Sequence, residues 1–192
     1  MRAIFVILLV MLIYTEITPN PQSIKFVLPS GIVAIERGSA TYDRQGYSEA
    51  WPETIRALFE IAGVESVFLT RAFVTVTKRA EAGWHEVIPA VKEVLKRYLS
   101  EGPLAPSTDL GDTAPSAEGV EKQVVEAIET YIRPAIAMDG GDVEYLGYSE
   151  GVVRLRLRGS CMGCPSSMIT LKAGIENLLT RLIPEVKAVE AE

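Results

Sequence analysis

Apolar residues recur at two periods along this chain, and each change of period marks an element. Residues 64–69 and 72–77 are rich in β-branched and aromatic side chains, which predicts a hairpin. Residues 23–28 and 32–36 are also strand-like, joined by a turn at Pro29-Ser30-Gly31. A helix is predicted over residues 52–61, opened by Pro52 at the position helices tolerate best and ended by Gly63. A second helix spans residues 84–99, where Trp84, Val87, Ile88, Val91, Leu95, Tyr98 and Leu99 repeat at helical spacing.

After a break the helical period resumes. Val120, Val124, Val125, Ile128 and Ile132 mark one face, and Pro134 near its end bends the last turn. Asp139-Gly140-Gly141-Asp142 is a tight turn. Residues 143–147 and 152–158 then form two strands around Ser149-Glu150-Gly151. In the second strand Val153, Leu155 and Leu157 alternate with Arg154, Arg156 and Arg158, giving one core face and one basic face. The basic face is read as solvated, with docking of an acidic partner as the alternative. A last helix carries the stripe Leu171, Ile175, Leu178, Leu179 and Leu182, and Pro184 ends it. Residues 185–190 close the sheet as a short strand. The break covers residues 101–117, with three prolines, two glycines and no period. It is expected to be a flexible linker with a reach of roughly 20 Å. The predicted architecture is therefore α+β: two small mixed domains, residues 11–100 and 118–192, the second in αββαβ order.

Composition narrows the function. Of 192 residues 48% are apolar and 23% charged, enough for real cores. The net charge of −6 falls wholly on the second half: up to Glu101 there are 11 basic and 11 acidic residues, and beyond it 8 and 14. Neither half has the positive surplus that a phosphate backbone demands, so nucleic acid is excluded as a partner. Residues 1–14 form an apolar run behind Arg2. As a secretory signal it lacks a small-x-small cleavage site, and as a span it falls short of the ~20 residues a bilayer needs. It is either an extended first strand or, with translation starting at Met11, a leader of residues 1–10 that is not made. No stable membrane association is expected.

The chemistry lies in Gly159-Ser160-Cys161-Met162-Gly163-Cys164-Pro165-Ser166-Ser167, between the second strand and the last helix. Cys161 and Cys164 are the only two cysteines, three apart, and the single histidine, His85, lies in the other half without a partner motif. So few cysteines exclude a disulfide scaffold and favour a reducing compartment, read here as the cytoplasm. Pro165 suits a first helical turn, and Ser166 or Ser167 can cap its free amides. A helix start favours thiolate over thiol, the form that both binds metal and attacks disulfides. The spacing alone therefore leaves three readings: a metal-cluster site, a thioredoxin-like dithiol oxidoreductase, and a zinc-linked dimer. Ligand counting separates them in part. A zinc or iron–sulfur centre takes about four protein ligands. One chain offers two, so a cluster would need two chains, each giving two thiolates. Such a shared, shallow site suits delivery better than retention. For an oxidoreductase, only 28 residues follow Cys164, too few to complete a thioredoxin fold.

These residues carry a resemblance. Arg133-Pro134-Ala135-Ile136-Ala137-Met138-Asp139-Gly140-Gly141-Asp142-Val143, the cysteine loop, and Thr170-Leu171-Lys172-Ala173-Gly174-Ile175-Glu176 resemble the C-terminal domain of NifU, shared with the Nfu iron–sulfur carriers. Thr15-Glu16-Ile17-Thr18-Pro19-Asn20-Pro21, Lys25-Phe26, Gly63-Val64 and Val74-Thr75-Val76-Thr77-Lys78 are similar to the Nfu N-terminal domain. The resemblance implies a carrier without turnover of its own. It implies a [4Fe-4S] cluster, with [2Fe-2S] as the alternative, bound between two chains by Cys161 and Cys164. It further implies a homodimer formed through the cluster, an upstream cluster donor, and apo iron–sulfur clients. The family's first domain is non-catalytic. The extra cysteines of full-length NifU are missing, which argues against a scaffold that builds clusters from scratch.

Overall fold

The computed structural model describes residues 12–107, 119–162 and 165–192, the last segment without the side chains of 165–167. The apolar leader, residues 108–118 of the linker, Cys164 and the caps at Ser166 and Ser167 lie outside what is described. The described chain is α+β, with two sheets of five and three strands, each with its own hydrophobic core.

The first sheet is antiparallel and runs β1-β2-β5-β4-β3. Its strands are β1 (Tyr14–Ile17), β2 (Ser23–Val27), β3 (Ala40–Asp43), β4 (Val64–Leu69) and β5 (Phe73–Lys78). Helices α1 (Glu53–Glu60) and α2 (Trp84–Leu99) cover one face. Strict alternation decides which residues they cover: Phe26, Val67, Leu69, Val74 and Val76 join Ile55, Leu58, Val87, Val91 and Leu95 in one core. The helices and the β4–β5 hairpin match the sequence pattern. Residues 32–36 do not form the expected strand. Ala34 and Ile35 are fully buried, but Ala34 donates to Arg71 O and accepts from Leu104 N without a ladder. The edge strand is β3 instead, a four-residue piece too short to show a period.

The linker also begins later than expected. Leu104 is 2% exposed and, with Ala105, belongs to the first core, so this part of residues 101–117 is packed rather than flexible. Its prolines and glycine mask two apolar side chains that are well placed to close the core.

The second sheet runs β6-β7-β8, with β6 (Gly141–Ser149) and β7 (Val152–Gly159) antiparallel and β8 (Ala188–Ala191) parallel to β7. Before it come α3 (Val120–Ala127), a π-helical turn (Ile128–Ile132) and α4 (Arg133–Met138). The wide turn precedes Pro134, which has no N–H for the ladder and whose ring crowds the previous turn. Helix α5 (Pro165–Leu182) buries Ile175 and Leu179, while Leu182, expected on the apolar stripe, is exposed and Ile183 is buried in its stead. The order is αββαβ, as the pattern predicted. Only α5 and β8 follow the cysteine loop, which gives no support to a thioredoxin fold.

The two sheets meet. The face of the first sheet turned away from its helices carries Lys25, Phe68, Phe73 and Thr75, and all four are buried. Thr75 Oγ1 donates to Gly140 O at 2.6 Å, and Lys25 Nζ donates to Met138 O at 3.3 Å. Lys25 is also paired with Glu16 at 2.9 Å and lies 5.0 Å from the centre of the Phe73 ring. The turn before β6 and the end of β7 therefore rest on the first sheet.

Candidate functional site

The site is built from backbone that only glycine supplies. Gly159 ends β7 with φ of 69°, a left-handed conformation. A methyl there would lie 2.7 Å from both Gly140 O and Phe68 Cδ1, so the strand end must be bare to approach the first sheet. Ser160 N donates to Gly140 O at 3.2 Å, and the Ser160 hydroxyl donates to Asp139 O. Met162 N donates to Gly159 O at 3.1 Å and closes the turn.

Cys161 points inward. It is 6% exposed and belongs to the second core. Its sulfur sits against Gly141, where an added methyl would lie 2.6 Å from Sγ and 2.8 Å from Arg158 O. The Gly140-Gly141 pair, predicted simply as a turn, is thus also the floor under the sulfur. Burial pushes the Cys161 thiol up to about 11; Asp139 and Asp142 add to the rise and a hydrogen bond with Ser160 opposes it. This corrects one expectation. Cys161 is held as a thiol rather than a thiolate, because it lies in the loop before α5 and desolvation outweighs the helix dipole. The residue also contributes to the second core. Asp142 is itself held by Arg133 at 2.7 Å, and Arg133 also pairs with Glu129 at 2.9 Å.

Among the described residues no group of three or more His, Cys, Asp or Glu could hold a metal ion. His85 stands on the first turn of α2 with its side chain 82% exposed, 3.8 Å from Glu86, as a surface residue. The basic face of β7 is largely engaged within the chain. Arg158 and Arg156 contact Glu144 at 2.6 and 3.3 Å, and Arg156 reaches Glu192 at 2.5 Å. Arg154 remains exposed. No helix among the described residues is long and apolar enough to cross a membrane.

Three residues that touch this region escaped the sequence reading of the site: Asn20, Lys25 and Thr75. Asn20 Nδ2 donates to Ser160 O at 3.3 Å and to Met162 O at 3.2 Å. Its motif, Thr18-Pro19-Asn20-Pro21, is visible in the sequence, but no period or spacing links it to a loop so far along the chain.

Comparison with known proteins places this geometry. Residues 13–102 match the family described as "Scaffold protein Nfu/NifU N terminal", and residues 124–190 match the NifU-like domain. NifU-like protein 5, mitochondrial, of Arabidopsis thaliana is 41% identical over 190 residues, covering 95% of this chain and 68% of the relative. The NFU1 iron-sulfur cluster scaffold homolog, mitochondrial, of Drosophila sechellia is 38% identical over 190 residues, covering 94% and 64%. This chain thus spans about two thirds of the length of these relatives. A solved NifU-like protein from Saccharomyces cerevisiae is 21% identical and covers 52% of this chain and 85% of its own, with a TM-score of 0.46. The cytoplasmic expectation is overturned, since both sequence relatives are named as mitochondrial. Its basis was too coarse: two unpaired cysteines argue for reducing conditions and do not distinguish one reducing compartment from another. With both halves matched in order and about 40% identity along nearly its whole length, the chain belongs to the Nfu/NifU-like family.

Proposed function

We propose that this protein is an iron–sulfur cluster carrier without catalytic turnover, which holds its cargo between two chains and passes it to apo-proteins. The observation that carries the reading is membership in a family whose named relatives include iron-sulfur cluster scaffolds, in a chain with only one pair of thiols. Cys161 and Cys164 are the ligands. Two chains with facing loops supply four thiolates, the set a [4Fe-4S] cluster takes, with [2Fe-2S] as the alternative. The second unit carries the ligands, and the first braces the loop that bears them.

The chemistry follows from the thiols. Each must lose a proton to ligate iron, so loading releases protons and costs the burial that keeps Cys161 neutral. A site completed only when two chains meet opens when they part, and an incoming client's thiolates then replace those of the carrier one by one. An upstream donor fills the site by the reverse exchange.

Anaerobic reconstitution with ferrous iron and sulfide tests the reading on the full chain. The expected result is about one cluster per two chains, a larger species on sizing, and transfer of iron and sulfide to an apo-ferredoxin. Cys161→Ala and Cys164→Ala should each abolish loading. Absence of bound iron and acid-labile sulfide in the wild type would sink the proposal.

A further inference from the structure

Asn20 lies in the turn between β1 and β2, 140 residues from the first loop carbonyl it touches, and is 4% exposed. Both ends of its carboxamide are used. Oδ1 accepts from Gln22 N at 2.9 Å, which fixes the turn. Nδ2 donates to Ser160 O and Met162 O at 3.3 and 3.2 Å. Those carbonyls belong to the residues immediately before and after Cys161. One amide group therefore holds the Ser160–Cys161 peptide, on one side of the cysteine, and the Met162 carbonyl beyond its other side, while Met162 N is held by Gly159 O. The turn is itself braced, since Thr18 Oγ1 bonds Asn20 O at 2.9 Å and Ser23 O at 3.0 Å.

We infer that Asn20 is a positioning residue for the Cys161 thiol, through which the first sheet sets the geometry of the ligand loop. A rigid brace on a ligand-bearing loop limits the positions the sulfur can sample and slows its exposure. The neighbouring contacts, Thr75 to Gly140 and Lys25 to Met138, hold the turn beneath the sulfur but do not touch the cysteine's own peptide groups. Asn20 is thus the side chain that couples the first sheet to Cys161 itself. The inference draws its consequence for cargo from the carrier reading above, whereas the contact stands without it.

Asn20→Asp in the full chain tests the role. The carboxylate keeps an acceptor for Gln22 N, so the turn survives, but it cannot donate and places an oxygen against two carbonyls. In the metal-free protein, alkylation of Cys161 by iodoacetamide, mapped by peptide mass, is expected to quicken by about tenfold. Amide exchange at Ser160 to Met162 should quicken with it, while the β6 and β7 amides keep wild-type protection. After loading, iron loss to a chelator should be faster than in wild type by a similar factor. Cys161 alkylation within about twofold of wild type in a folded variant would overturn the inference. So would equal acceleration in β6 and β7, which marks general destabilisation instead. Asn20→Ser is the second variant. Should neither fold, through-space NMR contacts between the Asn20 side-chain amide protons and residues 160–162 of the wild type decide, and their absence overturns the inference. If the wild type takes up no iron and sulfide, the carrier reading fails, and the alkylation and exchange data still judge Asn20.

Discussion

A thiol's usefulness as a ligand depends on what surrounds it, and Cys161 is surrounded by core. Its sulfur lies against Gly141, and the residue is 6% exposed within the second core, which also holds Ile136. The thiol is consequently raised to about 11 from an ordinary 9.0, chiefly by burial. The sign follows directly: the folded state holds the proton more tightly, so this group's contribution to stability is complete below about pH 9 and disappears as pH rises through about 11. Because thiolate is the reactive form, alkylation of Cys161 in the metal-free chain should rise by about tenfold per pH unit between pH 7 and 10, without a plateau. A plateau setting in just above pH 9, the ordinary thiol value, would mean that the loop spends its time with the sulfur exposed. The cysteine spacing is plain in the sequence, and it predicts which atoms carry the chemistry. It could not predict the protonation state, because burial depends on Gly141 and the second core, which are brought around the cysteine only by folding.

At the scale of elements, glycines make the site possible. β6 begins at Gly141 and β7 ends at Gly159, directly paired in the ladder. This pairing places the two bare residues side by side under the loop. Gly141→Ala adds a methyl 2.6 Å from Cys161 Sγ and 2.8 Å from a backbone oxygen, with no flexible side chain to yield on the second contact. Overpacking of this kind costs about 1–3 kcal/mol. Urea unfolding should show that loss, and cluster loading should fall because the sulfur is displaced. Unchanged stability and loading would show that the loop has slack there. Gly140 and Gly141 were legible as a turn. Their role as a floor was not, since a strand register is needed to bring residues 141 and 159 together. The same holds for residues 32–36, whose apolar run reads as a strand but whose hydrogen bonds build no ladder.

At the scale of the whole molecule, the seam between the sheets organises the site. The first sheet buries both faces, one under α1 and α2 and the other under the turns of the second unit. Thr75, 1% exposed, satisfies Gly140 O across that seam. Thr75→Val keeps the shape but removes one of the two donors to that carbonyl, leaving Ser160 N, at a cost of about 0.5–1.5 kcal/mol. Thermal unfolding should reveal it as a lowered midpoint for β6 and β7 in hydrogen exchange, with α1 and α2 less affected. An effect confined to the first sheet would show that the two units do not support one another.

The sequence by itself determined the periods, and with them the helices, the hairpins and the αββαβ order, because amphipathic spacing is a local property. It also determined the cysteine pair and, through two separated motifs, the family. Tertiary structure alone decided that Cys161 is buried, that Leu104 closes a core, that Asn20 reaches the ligand loop and that Thr75 reaches the turn beneath it. The last two contacts join residues 140 and 65 positions apart across two sheets, and no local pattern encodes a meeting of that kind.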